Sequence, residues 1–168
     1  MATTYEFIDS VVLGSDAADV TFTSIPGTYT DLLLTGSART ARALTTDVVK
    51  LEFNGSTTGY SLRYLESDGV TISSGSLSEF WGLNTTGANA TANTFGNSEC
   101  YIPNYAGSTA KSSSMTGAME NNGTSSFIDI AASLWTGTSA ITSIKIVSRV
   151  GSNIKAGSSF YLYGITKS

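Results

Sequence analysis

Short runs rich in Val, Ile, Thr, Tyr and Phe, broken at strand-length intervals by a turn residue followed by glycine, constrain this chain more than anything else in it. Such runs fall at 5–13, 20–25, 29–37, 47–54, 60–66, 99–103, 127–134, 141–150 and 159–165. β-branched and aromatic side chains suit a half-buried pleated surface better than a helix, so each run reads as a strand. Between them, Pro26-Gly27, Asn54-Gly55, Asp68-Gly69 and Asn122-Gly123 join a turn former to a residue that tolerates positive φ. Nine strands with short links predict an all-β, antiparallel two-sheet sandwich, jelly-roll-like, over a single domain spanning residues 1–168. An immunoglobulin-like sandwich fits less well, because its Cys…Trp…Cys arrangement is absent.

Alternation assigns faces within several runs. In Ile144-Lys145-Ile146, the isoleucines point inward and Lys145 outward, with Ser143. The run 48–53 and the run 60–64 read as a hairpin closed by Asn-Gly-Ser-Thr-Thr-Gly, with Leu51 and Phe53 facing Tyr60, Leu62 and Tyr64, and Glu52 and Arg63 on the wet side. The last run is harder to satisfy. Phe160 and Leu162 point one way and Tyr161, Tyr163 and Ile165 the other, so neither face is plainly polar. With the first side in the core, Tyr161 and Tyr163 become candidates for a subunit interface. The one helical signal is 76–83, where Ser76 or Ser78 caps a turn carrying Leu77, Phe80 and Trp81. Residues 84–96 and 106–123 are dominated by Thr, Ser, Asn, Gly and Ala and read as long loops or weak edge strands.

Composition excludes several functions. Of 168 residues only 13% are charged, and the nine Lys and Arg are scattered within a net charge of -4, which disfavours nucleic acid as a partner. No stretch has the length and apolarity of a membrane span, and the N-terminus has neither the basic start nor the apolar run of a signal peptide; synthesis in the cytoplasm and no membrane partner are expected. Cys100 is alone and reads as a small buried hydrophobe. The chain has no histidine, which removes the commonest general base, metal ligand and pH switch at once.

What chemistry remains is sparse. Neither a Ser-His-Asp nor a Cys-His arrangement exists, so no catalytic residue is assigned and an enzyme is not expected. Carboxylates such as Glu52, Glu66, Asp68, Glu79, Glu99 and Glu120 would suffice for glycoside hydrolysis, but nothing marks two of them as buried together. Asp16-Ala-Ala-Asp19 is too sparse for calcium, and neither a metal nor another cofactor is expected. Trp81, Trp135, Tyr101 and Tyr105 lie near the loop-rich segments and are candidate surface aromatic contacts, since such rings anchor protein interfaces and stack on sugars.

The segments Phe22-Thr-Ser-Ile-Pro-Gly-Thr-Tyr-Thr-Asp-Leu32, Leu51-Glu-Phe-Asn-Gly-Ser56 and Ala156-Gly-Ser-Ser-Phe-Tyr-Leu-Tyr-Gly-Ile165, in that order, resemble small virion structural proteins of tailed bacteriophages. The resemblance implies a non-enzymatic jelly-roll module that trimerises on the virion surface, either as a capsid decoration (cement) protein or at a fibre tip. It also implies partners: other copies of the chain, the major capsid protein or other virion proteins, and in the fibre-tip case a host surface glycan. The first strand begins near Tyr5 without a heptad-patterned shaft before it, which favours the head-decorating form.

Overall fold

In a computed structural model of the chain, residues 4–122 and 125–166 are described, without the side chains of 81–83. Twelve strands form among the described residues: β1 (Tyr5–Val12), β2 (Asp19–Phe22), β3 (Asp31–Ala38), β4 (Thr46–Phe53), β5 (Tyr60–Ser67), β6 (Ile72–Leu77), β7 (Trp81–Thr86), β8 (Gly96–Pro103), β9 (Lys111–Met119), β10 (Phe127–Trp135), β11 (Ile144–Ser148) and β12 (Ser159–Ile165). They make an eight-stranded sheet in the order β1-β12-β3-β8-β9-β10-β5-β6 and a four-stranded sheet in the order β2-β11-β4-β7, with every named strand pair antiparallel. First-half strands pair with second-half ones in nested fashion, β1 with β12, β2 with β11 and β5 with β10, as when one long ribbon rolls up. The expected all-β, two-sheet, jelly-roll-like sandwich is the architecture found.

One hydrophobic cluster spans both sheets. Leu32, Leu34, Cys100, Ile102, Phe160 and Leu162 of the wide sheet meet Val20, Phe22, Leu51, Phe53, Ile144 and Ile146 of the narrow one. The inward assignments of Ile144, Ile146, Phe160 and Leu162 therefore hold. Burial pushes the Cys100 thiol up to about 12, so it packs as an apolar group.

Three local readings need correction. Residues 48–53 and 60–64 do not form a hairpin: β4 pairs with β11 and β7, β5 with β10 and β6, and the chain between them crosses from one sheet to the other. Asn54, Gly55 and Gly59 all take positive φ there, which turns the backbone sharply enough to change sheets. Phe53 and Tyr60 still meet, edge to face at 6.1 Å, but across the core. Segment 76–83 carries no helix, because its backbone groups are claimed by the ladders of β6 and β7. The stretch 106–123, read as a long loop or a weak edge strand, holds β9, a central strand of the wide sheet. Its Ser and Gly residues have little strand propensity of their own, and partners on both sides impose the conformation.

Aromatic rings clamp the crossing. Phe53 meets Phe80 at 5.1 Å and Trp135 at 5.7 Å, and Tyr60 stacks against Trp135 at 6.3 Å. Trp135 and Tyr105 are thus not surface contacts as the sequence reading placed them. Trp135 closes the aromatic cluster, while Tyr105 is fully buried and its hydroxyl donates to the Pro26 carbonyl. The Tyr60 hydroxyl accepts from the Phe53 amide at 2.8 Å and donates to the Ser56 carbonyl at 3.1 Å, tying both ends of the crossing. Replacing Tyr60 with Phe strands the buried Phe53 N–H and should cost about 1–3 kcal/mol in denaturant unfolding, with the m-value unchanged.

Candidate interaction face

The two sheets turn different faces outward. On the narrow sheet the outward residues include two ion pairs: Lys145 lies 3.5 Å from Asp19 and Lys50 lies 3.8 Å from Glu52. On the wide sheet they are largely apolar. Ile72 is 73% exposed, Ile128 69% and Ile130 53%, with Leu65, Leu134, Phe7 and Tyr5 also open to solvent. Such a collection on one face is more than the scattered apolar residues of an ordinary surface.

Strand register sorts these residues into rows. Phe7, Tyr163, Leu33 and Tyr101 are successive cross-strand neighbours on β1, β12, β3 and β8. At the other end Ile130 sits opposite Leu65, while Ser67 lies between Ile128 and Ile72. The face thus carries an aromatic patch at its β1–β12 end and an aliphatic patch at its β10–β5–β6 end. Between them Thr35, Glu99 and Thr116 form one row and Ser37, Asn97 and Ala118 the next. Above this polar strip lies a depression of about 610 Å³, walled by Tyr161 and Ser159 on one side and Ile128 and Ile130 on the other.

The sequence-derived aromatic candidates separate accordingly. Tyr163 is half-buried and meets Phe7 edge to face at 6.1 Å, within the aromatic patch. Tyr161, also half-buried, lines the depression instead. Tyr101 is exposed, and its hydroxyl donates to Asp31 at 2.7 Å, an interaction that pushes its pKa up because the neutral phenol is the donor. The Trp81 side chain lies outside the described residues. The exposed isoleucines were missed, since period-two alternation over 127–134 yields two candidate faces and does not say which one the second sheet covers.

The carboxylates of 16–19 have local partners. Asp16 receives hydrogen bonds from Lys155 at 2.7 Å and from the Ala156 amide at 3.0 Å, which hold its carboxyl below the usual range, while Asp19 pairs with Lys145. The two carboxylates of the Asp16-Ala-Ala-Asp19 segment are therefore engaged by separate lysines. Among the described residues no three potential metal ligands come together.

One carboxylate pair had no sequence signal. Glu66 and Asp129 are directly opposite on β5 and β10, on the inward side with Asn84 of β7. Burial raises both pKa values, the Asp129 charge adds to the rise at Glu66, and the Asn84 side chain works against it. Gly117, opposite Asp129, leaves the room its carboxyl occupies: a Cβ at Gly117 would stand 2.5 Å from Oδ1.

A carboxyl with a raised folded-state pKa binds more protons folded than unfolded, so it subtracts stability as pH rises through that raised range. Asp129→Asn should consequently raise the melting temperature at neutral pH, and the gain should shrink toward zero as pH falls to the ordinary carboxylate range. Calorimetry of both proteins across that window checks it; a variant less stable at neutral pH would mean that the ionised carboxylate is in use.

No family model matches the chain, and no curated protein matches it. Among solved structures, the crystal structure of Caenorhabditis elegans galectin LEC-6 is similar at 11% identity and a TM-score of 0.34, over 98% of this chain and 96% of that one.

Proposed function

We propose that this chain is a non-enzymatic structural protein of a bacteriophage virion, a capsid decoration module that works as a homotrimer on the head surface. The observation that carries the reading is the outward face of the wide sheet, with apolar patches of different chemistry at its two ends. Burying exposed Ile72, Ile128 and Ile130 removes apolar area from water, the main driving force for association. Two unlike patches suit a heterologous contact, in which the aliphatic end of one copy meets the aromatic end of the next, with Phe7 and Tyr163 on the receiving side; with a three-fold rotation between copies such contacts close into a ring of three. Stacking the same faces about a two-fold axis through the polar strip would instead bring Glu99 against its own copy, a like-charge approach that works against a dimer. The order of the three segments resembling phage virion proteins supports placement on the particle, against the major capsid protein.

Light scattering should give three times the protomer mass, and Ile130→Lys, which sets a charge in the aliphatic patch, should reduce it to one protomer while leaving the circular dichroism spectrum unchanged. Electron cryo-microscopy of the virion should find the protein in many copies on the head. A monomer that is also missing from the head would overturn the proposal.

A further inference from the structure

The depression between the two patches is built unlike either of them. Its floor is Thr35, Ser37, Asn97, Glu99 and Thr116, all on three adjacent central strands, β3, β8 and β9. Within the described chain only two of these side chains are hydrogen-bonded, Thr116 donating to Glu99 Oε1 at 3.3 Å. The hydroxyls of Thr35 and Ser37, the Asn97 amide and the second Glu99 oxygen are left to solvent or a ligand. Their spacing is set by the sheet, about 4.8 Å between strands, so they need no rearrangement to converge on one object. Tyr161 stands at the side of this floor as an aromatic wall.

Charge and size narrow what would fit. No Lys or Arg lines the depression, and Glu99 is the carboxylate that faces it, the Asp129 carboxyl being turned to the inward side, so phosphates, sulfates and acidic sugars would meet repulsion without compensation. A ligand with many hydroxyl donors and an apolar ring face matches hydroxyl, amide and carboxylate acceptors beside a tyrosine. The depression is open to solvent, and its volume of about 610 Å³ leaves room for a ligand lying on the strip.

We infer that this depression binds a neutral carbohydrate of one or two rings, with Glu99 and Asn97 holding hydroxyls and Tyr161 packing on the sugar face. The inference is separable from the trimer, since the sugar-holding groups lie on the strip and the trimer draws on the flanking patches, sharing with the depression the Ile128 and Ile130 wall.

Saturation-transfer NMR against the methyl glycosides of glucose, galactose, mannose and N-acetylglucosamine, with maltose and lactose, tests it, and N-acetylneuraminic acid serves as the charged control. At least one neutral sugar should bind, and the acid should not. Glu99→Gln and Tyr161→Ala should each weaken that binding about tenfold, the loss of one charge-assisted hydrogen bond or one ring contact. Light scattering should show the same mass for both variants as for the unaltered protein. Absence of binding by every neutral sugar at millimolar concentration, a preference for the acid, or full binding by both variants would overturn the inference. A change of mass in Glu99→Gln would overturn it too, since the occupant would then be another copy of the chain; a monomeric protein that still binds sugar would count against the trimer alone.

Discussion

The contact on which the rest of this structure depends is the aromatic cluster of Phe53, Tyr60, Phe80 and Trp135. It sits where the chain leaves the narrow sheet and enters the wide one, and its centroid separations of 5.1 to 6.3 Å include both edge-to-face and stacked geometries. The four rings come from β4, β5, β10 and the link before β7, so one cluster fixes the separation of the sheets and the register of the crossing together. The Tyr60 hydroxyl then satisfies backbone groups that the turn would otherwise leave unpaired. Once the crossing is fixed, β5 can pair only with strands of the wide sheet, and the aliphatic patch of Leu65, Ile128 and Ile130 is assembled on its far side.

The interior is not wholly apolar, and its charges serve the loops. Arg39 sends its guanidinium into the 88–94 segment, donating to the carbonyls of Ala88, Ala90, Thr91 and Thr94 at 2.8 to 3.1 Å. Asp47 accepts from Thr40 Oγ1, Ser148 Oγ and the Val48 amide, with Arg42 at 3.3 Å. Lys111 is buried at the start of β9, its ammonium held by the Gly107, Thr109 and Thr138 carbonyls while burial pulls its pKa down. Each group replaces water as the partner of backbone or hydroxyl groups that the sandwich has desolvated. That is how so Ser- and Thr-rich a chain orders long links without disulfides: two cations each gather several backbone carbonyls, and one carboxylate gathers two hydroxyls and a backbone amide.

Much of the architecture was legible because it lies in local chemistry. Ile144 and Ile146, and Phe160 and Leu162, alternate with polar or tyrosyl neighbours, and period two alone assigns their faces. What failed has a common cause. The 48–64 hairpin was inferred from a turn sequence that closes hairpins, yet partner choice was settled by distant strands, β11 and β10. β9 was unreadable because Ser, Gly and Ala form a strand there only with β8 and β10 to pair with. Trp135 and Tyr105 were displaced from the surface for the same reason, since neighbouring loops in the sequence mark the end of a strand and not the side it shows to solvent. The candidate face suffered most, as it is a property of register summed over eight strands.

Unequal sheets have a consequence that composition alone conceals. Four strands cover one side of eight, so the wide sheet must present a broad outward surface whatever its residues. In a chain that stays alone, that surface is expected to be mostly polar, as the narrow sheet is where its lysine and carboxylate pairs lie. Here the strip over β3, β8 and β9 obeys that rule and both flanks break it, each with its own kind of apolar side chain. A uniform apolar face would favour indiscriminate aggregation; two unlike patches separated by a hydroxyl-lined strip with Glu99 at its centre admit few arrangements. On the strip itself the sheet carries one charge, Glu99, between the hydroxyls of Thr35 and Thr116, while the charged pairs lie on the narrow sheet.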